Sequence, residues 1–187
     1  MRQLYISTFL AGITLAPVSA NAQMGSEIAT SVTAGAQLSD AVSLSAMGSV
    51  FWSPTGGSIL IYYLGPDFQI GEHYNLGLKA SWPNPGDAPL FLSAWQTLLF
   101  RDGRYSLFAE TDLVFAGDGL HYIGVYSADW NCDLASLGVH GEQFGTAVTT
   151  GPHLNFNLGE HLTTGLQYHW LIGDTVQTMR LTITVKL

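Results

Sequence analysis

The stretch from Thr178 to Leu187 separates into two interleaved sets. Met179, Leu181, Ile183, Val185 and Leu187 fall on one side, and Thr178, Arg180, Thr182, Thr184 and Lys186 on the other. A period of two marks a β-strand with one apolar and one polar face, because successive side chains of a strand point in opposite directions. The pattern recurs along the chain, and no helical period of any length interrupts it from Ile28 onward. His161 to Ile172 opposes Leu162, Leu166, Tyr168, Trp170 and Ile172 to Thr163, Gly165, Gln167 and His169. Val42 to Trp52 opposes Val42, Leu44, Ala46, Val50 and Trp52 to Ser43, Ser45, Met47 and Ser49.

Eleven such runs are legible, at about 28–38, 42–52, 58–70, 73–82, 90–100, 104–115, 120–130, 134–143, 146–157, 161–172 and 175–187. Turn signals separate them, among them Ser39-Asp40, Gly71-Glu72, Asp102-Gly103, Gly159-Glu160 and Gly173-Asp174. Short turns make neighbouring strands antiparallel, so the chain reads as a single-domain meander. Two of its hairpins are near copies: LGPDFQIGEHYNLGLKASW, from Leu64 to Trp82, and TGPHLNFNLGEHLTTGLQYHW, from Thr150 to Trp170. Each carries Gly-Glu-His at the turn, where Gly supplies a positive φ and the acid stays in water. The motif therefore reads as a repeated hairpin at one rim, the periplasmic one, rather than as a catalytic triplet. An antiparallel meander closes with an even number of strands. Placing both copies on one rim favours twelve, with one weak strand missed; merging 134–157 into one strand would give ten.

The first residues, MRQLYISTFLAGITLAPVSANAQ, combine one cation, Arg2, an apolar stretch from Leu4 to Val18 and the small-x-small triplet Ala20-Asn21-Ala22. That is the pattern of a secretory signal peptide over 1–22, cleaved after Ala22, with the barrel in 23–187. No later apolar run approaches the ~20 residues of a membrane helix. A membrane form of this chain would have to cross as strands. Cys132 is the only cysteine, so no internal disulfide can form. The net charge of -8 and the lack of a basic patch argue against nucleic acid as a partner.

Charged residues make up 11% of the chain, against roughly 25% in soluble domains. Most of them sit in or beside turns: Asp40, Glu72, Asp87, Arg101, Asp102, Arg104, Asp118, Asp129, Asp133, Glu160 and Asp174. The polar strand faces are Ser, Thr, Gly, Asn and Gln, which suits a lumen better than the outside of a soluble lipid-binding barrel. On this register Trp52, Trp82 and Trp170 gather at one rim, and Phe68, Tyr74, Phe100, Tyr105, Trp130 and Phe156 at the other. Two aromatic girdles mark the interfaces of an outer-membrane barrel.

Signal peptide, amphipathic strands of about ten residues, girdles and an alternating C-terminal strand resemble the small outer-membrane β-barrel proteins of Gram-negative bacteria. The resemblance covers the whole mature chain and implies an all-β transmembrane barrel in the outer-membrane bilayer, inserted by the barrel-assembly machinery. Leu187 departs from it, since that class most often ends on an aromatic residue.

Inward-facing ionisable residues on this register are Asp67, Lys79, Glu110, Asp112, His140, Glu142, His153, His169 and Arg180. Opposite charges in a narrow lumen must pair to offset desolvation, so Lys79 and Arg180 are expected to engage Glu110, Asp112 and Glu142 and fill the interior. Some outer-membrane barrels are lipid hydrolases, which makes His140, Glu142 and Ser136 a candidate constellation, weakened because no Ser lies two residues from His140. His140, His153 and His169 could converge on a metal only if their heights match. No cofactor motif is present. The expected role is structural, or the binding or passage of a small solute.

Overall fold

The computed structural model describes residues 4–5, 24–84, 90–116 and 119–186. The expected leader, apart from Leu4 and Tyr5, its cleavage point and the terminal Leu187 lie outside the described residues. The strands are β1 (Met24–Ser39), β2 (Val42–Ser53), β3 (Gly57–Ile70), β4 (Tyr74–Asn84), β5 (Phe91–Phe100) and β6 (Tyr105–Ala116). They continue with β7 (Gly119–Asn131), β8 (Ala135–Phe144), β9 (Ala147–Asn157), β10 (Leu162–Leu171) and β11 (Gln177–Lys186). Each pairs antiparallel with the next, and β11 returns to β1, so the sheet is closed. A two-residue strand, Leu4–Tyr5, pairs with Ala36 and Gly35 of β1.

The strand count corrects both expected values. The barrel has eleven strands rather than twelve or ten, and it is mixed. β11 and β1 run in the same direction and pair in parallel from Gln177 with Met24 to Lys186 with Thr33. The even number followed from assuming antiparallel closure; a parallel ladder satisfies the same backbone groups with slanted bonds. The Gly-Glu-His turns follow β3 and β9, which puts both on one rim. The break in direction sits between β11 and β1, outside the interval that separates the two turns, so it leaves their spacing untouched. The ten-strand alternative fails because β8 and β9 are separated at Gly145, which holds φ 60° and turns the chain back on itself.

Both copied turns use their glycine as the sequence suggests. Gly71 and Gly159 sit at φ 67° and 97°, a region that a side chain disfavours. His161 starts the returning strand with its Nδ1 3.0 Å from the Lys186 carbonyl oxygen. The ring fastens the last strand to the hairpin beside it.

Alternation decides the two surfaces. Outward positions carry Leu44, Leu64, Leu78, Leu92, Leu107, Leu113, Leu137, Val139 and Leu166, all exposed. Among the described residues only Tyr63 and Phe91 are buried hydrophobics, while Lys79, Asp112, His140, Glu142, His153, His169 and Arg180 are buried. This is the reverse of a soluble barrel. Trp52, Trp82 and Trp170 stand exposed at the rim where β1 begins, and Phe100, Tyr105, Trp130 and Phe156 at the Gly-Glu-His rim. Tyr62 stacks on Trp82 with ring centroids 5.9 Å apart, and Tyr74, half-buried, donates to Gln96 at 3.1 Å.

Candidate functional site in the barrel interior

Inward glycines bring together side chains that stand two strands apart. His140 on β8 pairs with Gly151 on β9, and the neighbouring pair Thr150 and Trp170 sets Gly151 beside His169 on β10. With no side chain between them, His140 Nε2 and His169 Nδ1 share a hydrogen bond of 3.1 Å. A Cβ at Gly151 would fall 1.7 Å from the Tyr168 carbonyl oxygen. The same device recurs one strand over. Gly138 is paired with both Asp129 and His153, and His153 Nε2 is bonded to Asp129 Oδ1 across it. Ser127 donates to the other oxygen of Asp129 at 2.7 Å.

Arg180 binds two carboxylates. Its guanidinium meets Glu142 through Nη1 and Oε1, and through Nη2 and Oε2 at 3.2 Å, while Nε donates to Glu27 Oε2 at 2.8 Å. Its charge is therefore spent on neighbours of the wall. Glu142 Oε2 lies 3.7 Å from His169 Nδ1, which joins the groups into one chain: Glu27, Arg180, Glu142, His169, His140. His153 and Asp129 stand next to it, with the His140 and His153 ring centroids 5.5 Å apart.

Lys79 belongs to a separate knot. Its ammonium donates to Asp67 Oδ1 at 2.6 Å, Ser45 Oγ at 2.6 Å and the Gly65 carbonyl at 3.0 Å. An ammonium has three protons, so Lys79 has none left for a ligand. Of the expected partners of Lys79 and Arg180, Glu142 is engaged, by Arg180, whereas Asp67 and Glu27 take the places expected of Glu110 and Asp112. Glu110 and Asp112 have no cation partner among the described residues. Glu110 Oε1 and Asp112 Oδ1 are buried without a hydrogen bond, while the two carboxyls meet each other, Glu110 also meets the polar atoms of Tyr63 and Trp95, and Asp112 meets Ser93.

Two members of these networks were not among the sequence candidates. Glu27 precedes the expected first strand at 28, but β1 begins at Met24 and carries Glu27 inward opposite Arg180. Asp129 falls within the expected run 120–130 but counts there among the charges in or beside turns, whereas β7 runs to Asn131 and sets it inward against His153. The signal for both is the alternation itself, continued one residue before 28 for Glu27 and followed on the inward set of 120–130 for Asp129.

Ser136 and His140 share the inner face of β8 but stand four residues apart, roughly 13 Å along a strand. Ser136 Oγ accepts from Asn155 Nδ2 at 3.2 Å instead, so no nucleophile and base pair forms between them. The three histidines do gather, yet His140 and His169 turn their nitrogens on each other and Asp129 occupies His153 Nε2. Among the described residues no group of three or more His, Cys, Asp and Glu is arranged to hold a metal ion.

Two cavities open into the interior among the described residues. One, of about 320 Å³, lies toward the Gly-Glu-His rim among Ser127, Asp129, Asn131, Ser136, Asn155, Gln167 and Thr182. The other, of about 440 Å³, lies toward the opposite rim among Ile59, Ile61, Tyr63, Phe91, Val114, Ile123 and Phe144. Phe51, Glu110, Val125, Glu142 and Arg180 line both. Arg180 lies 5.6 Å from the centre of the Phe51 ring. The two cavities abut at these shared residues, with most of the polar side chains toward the Gly-Glu-His rim and most of the apolar ones toward the other. No protein-family model matches the chain, and neither a curated protein nor a solved structure is significantly similar to it.

Proposed function

We propose that this chain is an integral outer-membrane β-barrel whose interior binds a small solute, with passage limited at the level of Arg180. One observation carries the membrane reading. Among the described residues, every Asp, Glu, Lys and Arg within a strand lies on the inward set of positions, while the outward set is a band of exposed Leu, Val and aromatic side chains. Moving a Leu-sized side chain out of water is worth ~1.5–3 kcal/mol, so a dozen outward residues gain roughly 20–35 kcal/mol in hydrocarbon. That exceeds the ~5–15 kcal/mol that holds a soluble domain together. A surface of this kind is explained by lipid as its solvent.

The soluble lipid-binding alternative needs an apolar interior throughout and a charged exterior, and the side chains are distributed the other way. The Gly-Glu-His rim is the better periplasmic candidate, because its turns are short and charged, with Glu72, Asp102, Asp133 and Glu160 all exposed there. The partners are then the outer-membrane bilayer and the barrel-assembly machinery, reached after removal of the leader. Cell fractionation with gel migration before and after boiling tests the proposal. A membrane barrel stays with the outer-membrane fraction until detergent is added and migrates differently when unboiled. Release by osmotic shock without detergent would contradict it.

A further inference from the structure

The larger cavity is built unlike the lumen of a simple polar channel. Tyr63 and Phe91, the two buried hydrophobics among the described residues, form one wall, their rings 6.1 Å apart in an edge-to-face arrangement. Ile59 and Phe144 stand half in solvent at its mouth, exposed by 41% and 51%. Four carboxyl groups, Glu27, Glu110, Asp112 and Glu142, line it against a single cation, Arg180. Arg180 is fully engaged by Glu27 and Glu142. What remains is the Glu110 and Asp112 pair, adjacent on the inner face of β6, with Asp112 only 4% exposed and one buried oxygen of each carboxyl lacking any hydrogen bond.

Buried polar atoms without partners are uncommon and call for an explanation. Asp67 has Lys79 and Glu142 has Arg180 beside it, whereas Glu110 and Asp112 have each other and no cation among the described residues, and two carboxyls in contact hold about one negative charge between them until a cation joins them. An apolar, ring-lined chamber of about 440 Å³ that ends on two unmatched carboxyls fits a ligand of complementary build. Carboxylates attract an ammonium, and aromatic faces such as Tyr63 and Phe91 attract it further through their quadrupoles. An anionic ligand would meet a lining of net negative charge, and a neutral apolar one would leave the carboxyl pair without a counter-charge.

We propose that the chamber between Tyr63, Phe91 and the Glu110 and Asp112 pair is a binding site for a small amphipathic cation, an organic ammonium with an apolar body. The ammonium reaches the two carboxyls and the body lies along Ile61, Val114 and Ile123. This site rests on the solute-binding reading above and names the chemistry of the solute. It is entered from the rim that carries Trp52, Trp82 and Trp170.

Titration calorimetry of the purified, folded chain with phenethylammonium tests it, with 2-phenylethanol and 3-phenylpropionate as the neutral and anionic probes. Saturable binding of the ammonium with Kd of about 1 mM or tighter is expected, with both controls at least about tenfold weaker. The double variant E110Q/D112N should lose about tenfold or more in ammonium affinity while leaving phenylethanol unchanged. Ile59→Arg, at the exposed mouth, sets a cation in the path, alters no buried group and should weaken ammonium binding likewise. Equal binding of ammonium and alcohol, or unchanged affinity in both variants, or no saturable binding by the folded chain, would overturn the proposal. The titration reads the same in micelles or in buffer, so a water-soluble chain would sink the membrane reading and leave this test intact.

Discussion

Glu142 and Arg180 are bonded fork to fork although two strands, β9 and β10, stand between them. The bond is a chord across the curved wall, and it lies where the two halves of the lumen meet. Truncating Arg180 would leave a buried carboxylate at Glu142 without its partner, at a cost of about 3–5 kcal/mol. Arg180→Met should lower the urea midpoint of the folded form accordingly, read from the unboiled gel band. Adding Glu142→Gln should restore a large part of the loss, because the remaining Glu27 side chain is 32% exposed and is served by water. A double variant no better than the single one would mean that the pair is not coupled.

The histidine contact depends on Gly151. A methyl group there would meet the Tyr168 carbonyl at 1.7 Å, and backbone atoms give way less readily than a side-chain tip. Gly151→Ala should cost about 1–3 kcal/mol in the same urea series. Gly35→Ala serves as the reference. Its nearest atom would be at 3.6 Å, and a change within about 0.5 kcal/mol is expected there.

The repeated Gly-Glu-His turns should behave as architecture. Gly71→Val and Gly159→Val each force a branched side chain into φ of 67° and 97°, and each should cost about 1–2 kcal/mol. Glu72→Ala and His73→Ala, at exposed positions, should stay within about 0.5 kcal/mol of the parent. A large loss of stability from either of the last two would mean that the triplet holds more than a turn.

Phe51 lines both cavities where they abut, and its ring packs against Arg180. Removing the ring should join the polar and apolar halves. Single-channel recording in planar bilayers should therefore show Phe51→Ala conducting at least about twofold more than the parent, on the expectation that pore dimension and charged constrictions set conduction. Equal conductance would place the constriction elsewhere.

How far the sequence could be read depends on whether a feature is local. All eleven strands were visible as alternating runs with ends within a few residues, because the period of two is a property of each strand alone. The closure was not visible, since the parallel pairing of β11 with β1 joins residues such as Arg180 and Glu27 that lie at opposite ends of the chain. The polar inner face was legible from Lys79, His140, His153, His169 and Arg180. Its pairing was not, because strand stagger decides whether Lys79 meets Asp67 or Glu110. The apolar half of the lumen was missed for another reason. Near the rim of Trp52 both faces of the strands are hydrophobic, with Ile59, Ile61 and Ile123 inside and Leu60, Tyr62 and Tyr122 outside. Alternation carries little information where both sets are apolar.

The proposed lipid cover on the outer face of the barrel can be tested within one molecule by its five tryptophans. Trp52, Trp82, Trp130 and Trp170 are exposed on the outer surface near the two rims, whereas the Trp95 indole nitrogen is buried inside. The measurement is fluorescence quenching by brominated acyl chains after folding into liposomes, on the parent and on a variant that keeps Trp95 alone, the other four being replaced by Phe. Strong quenching of the parent and little quenching of the Trp95-only variant are expected. Equal quenching in both, or a parent that brominated lipid leaves untouched, would contradict the proposed lipid cover.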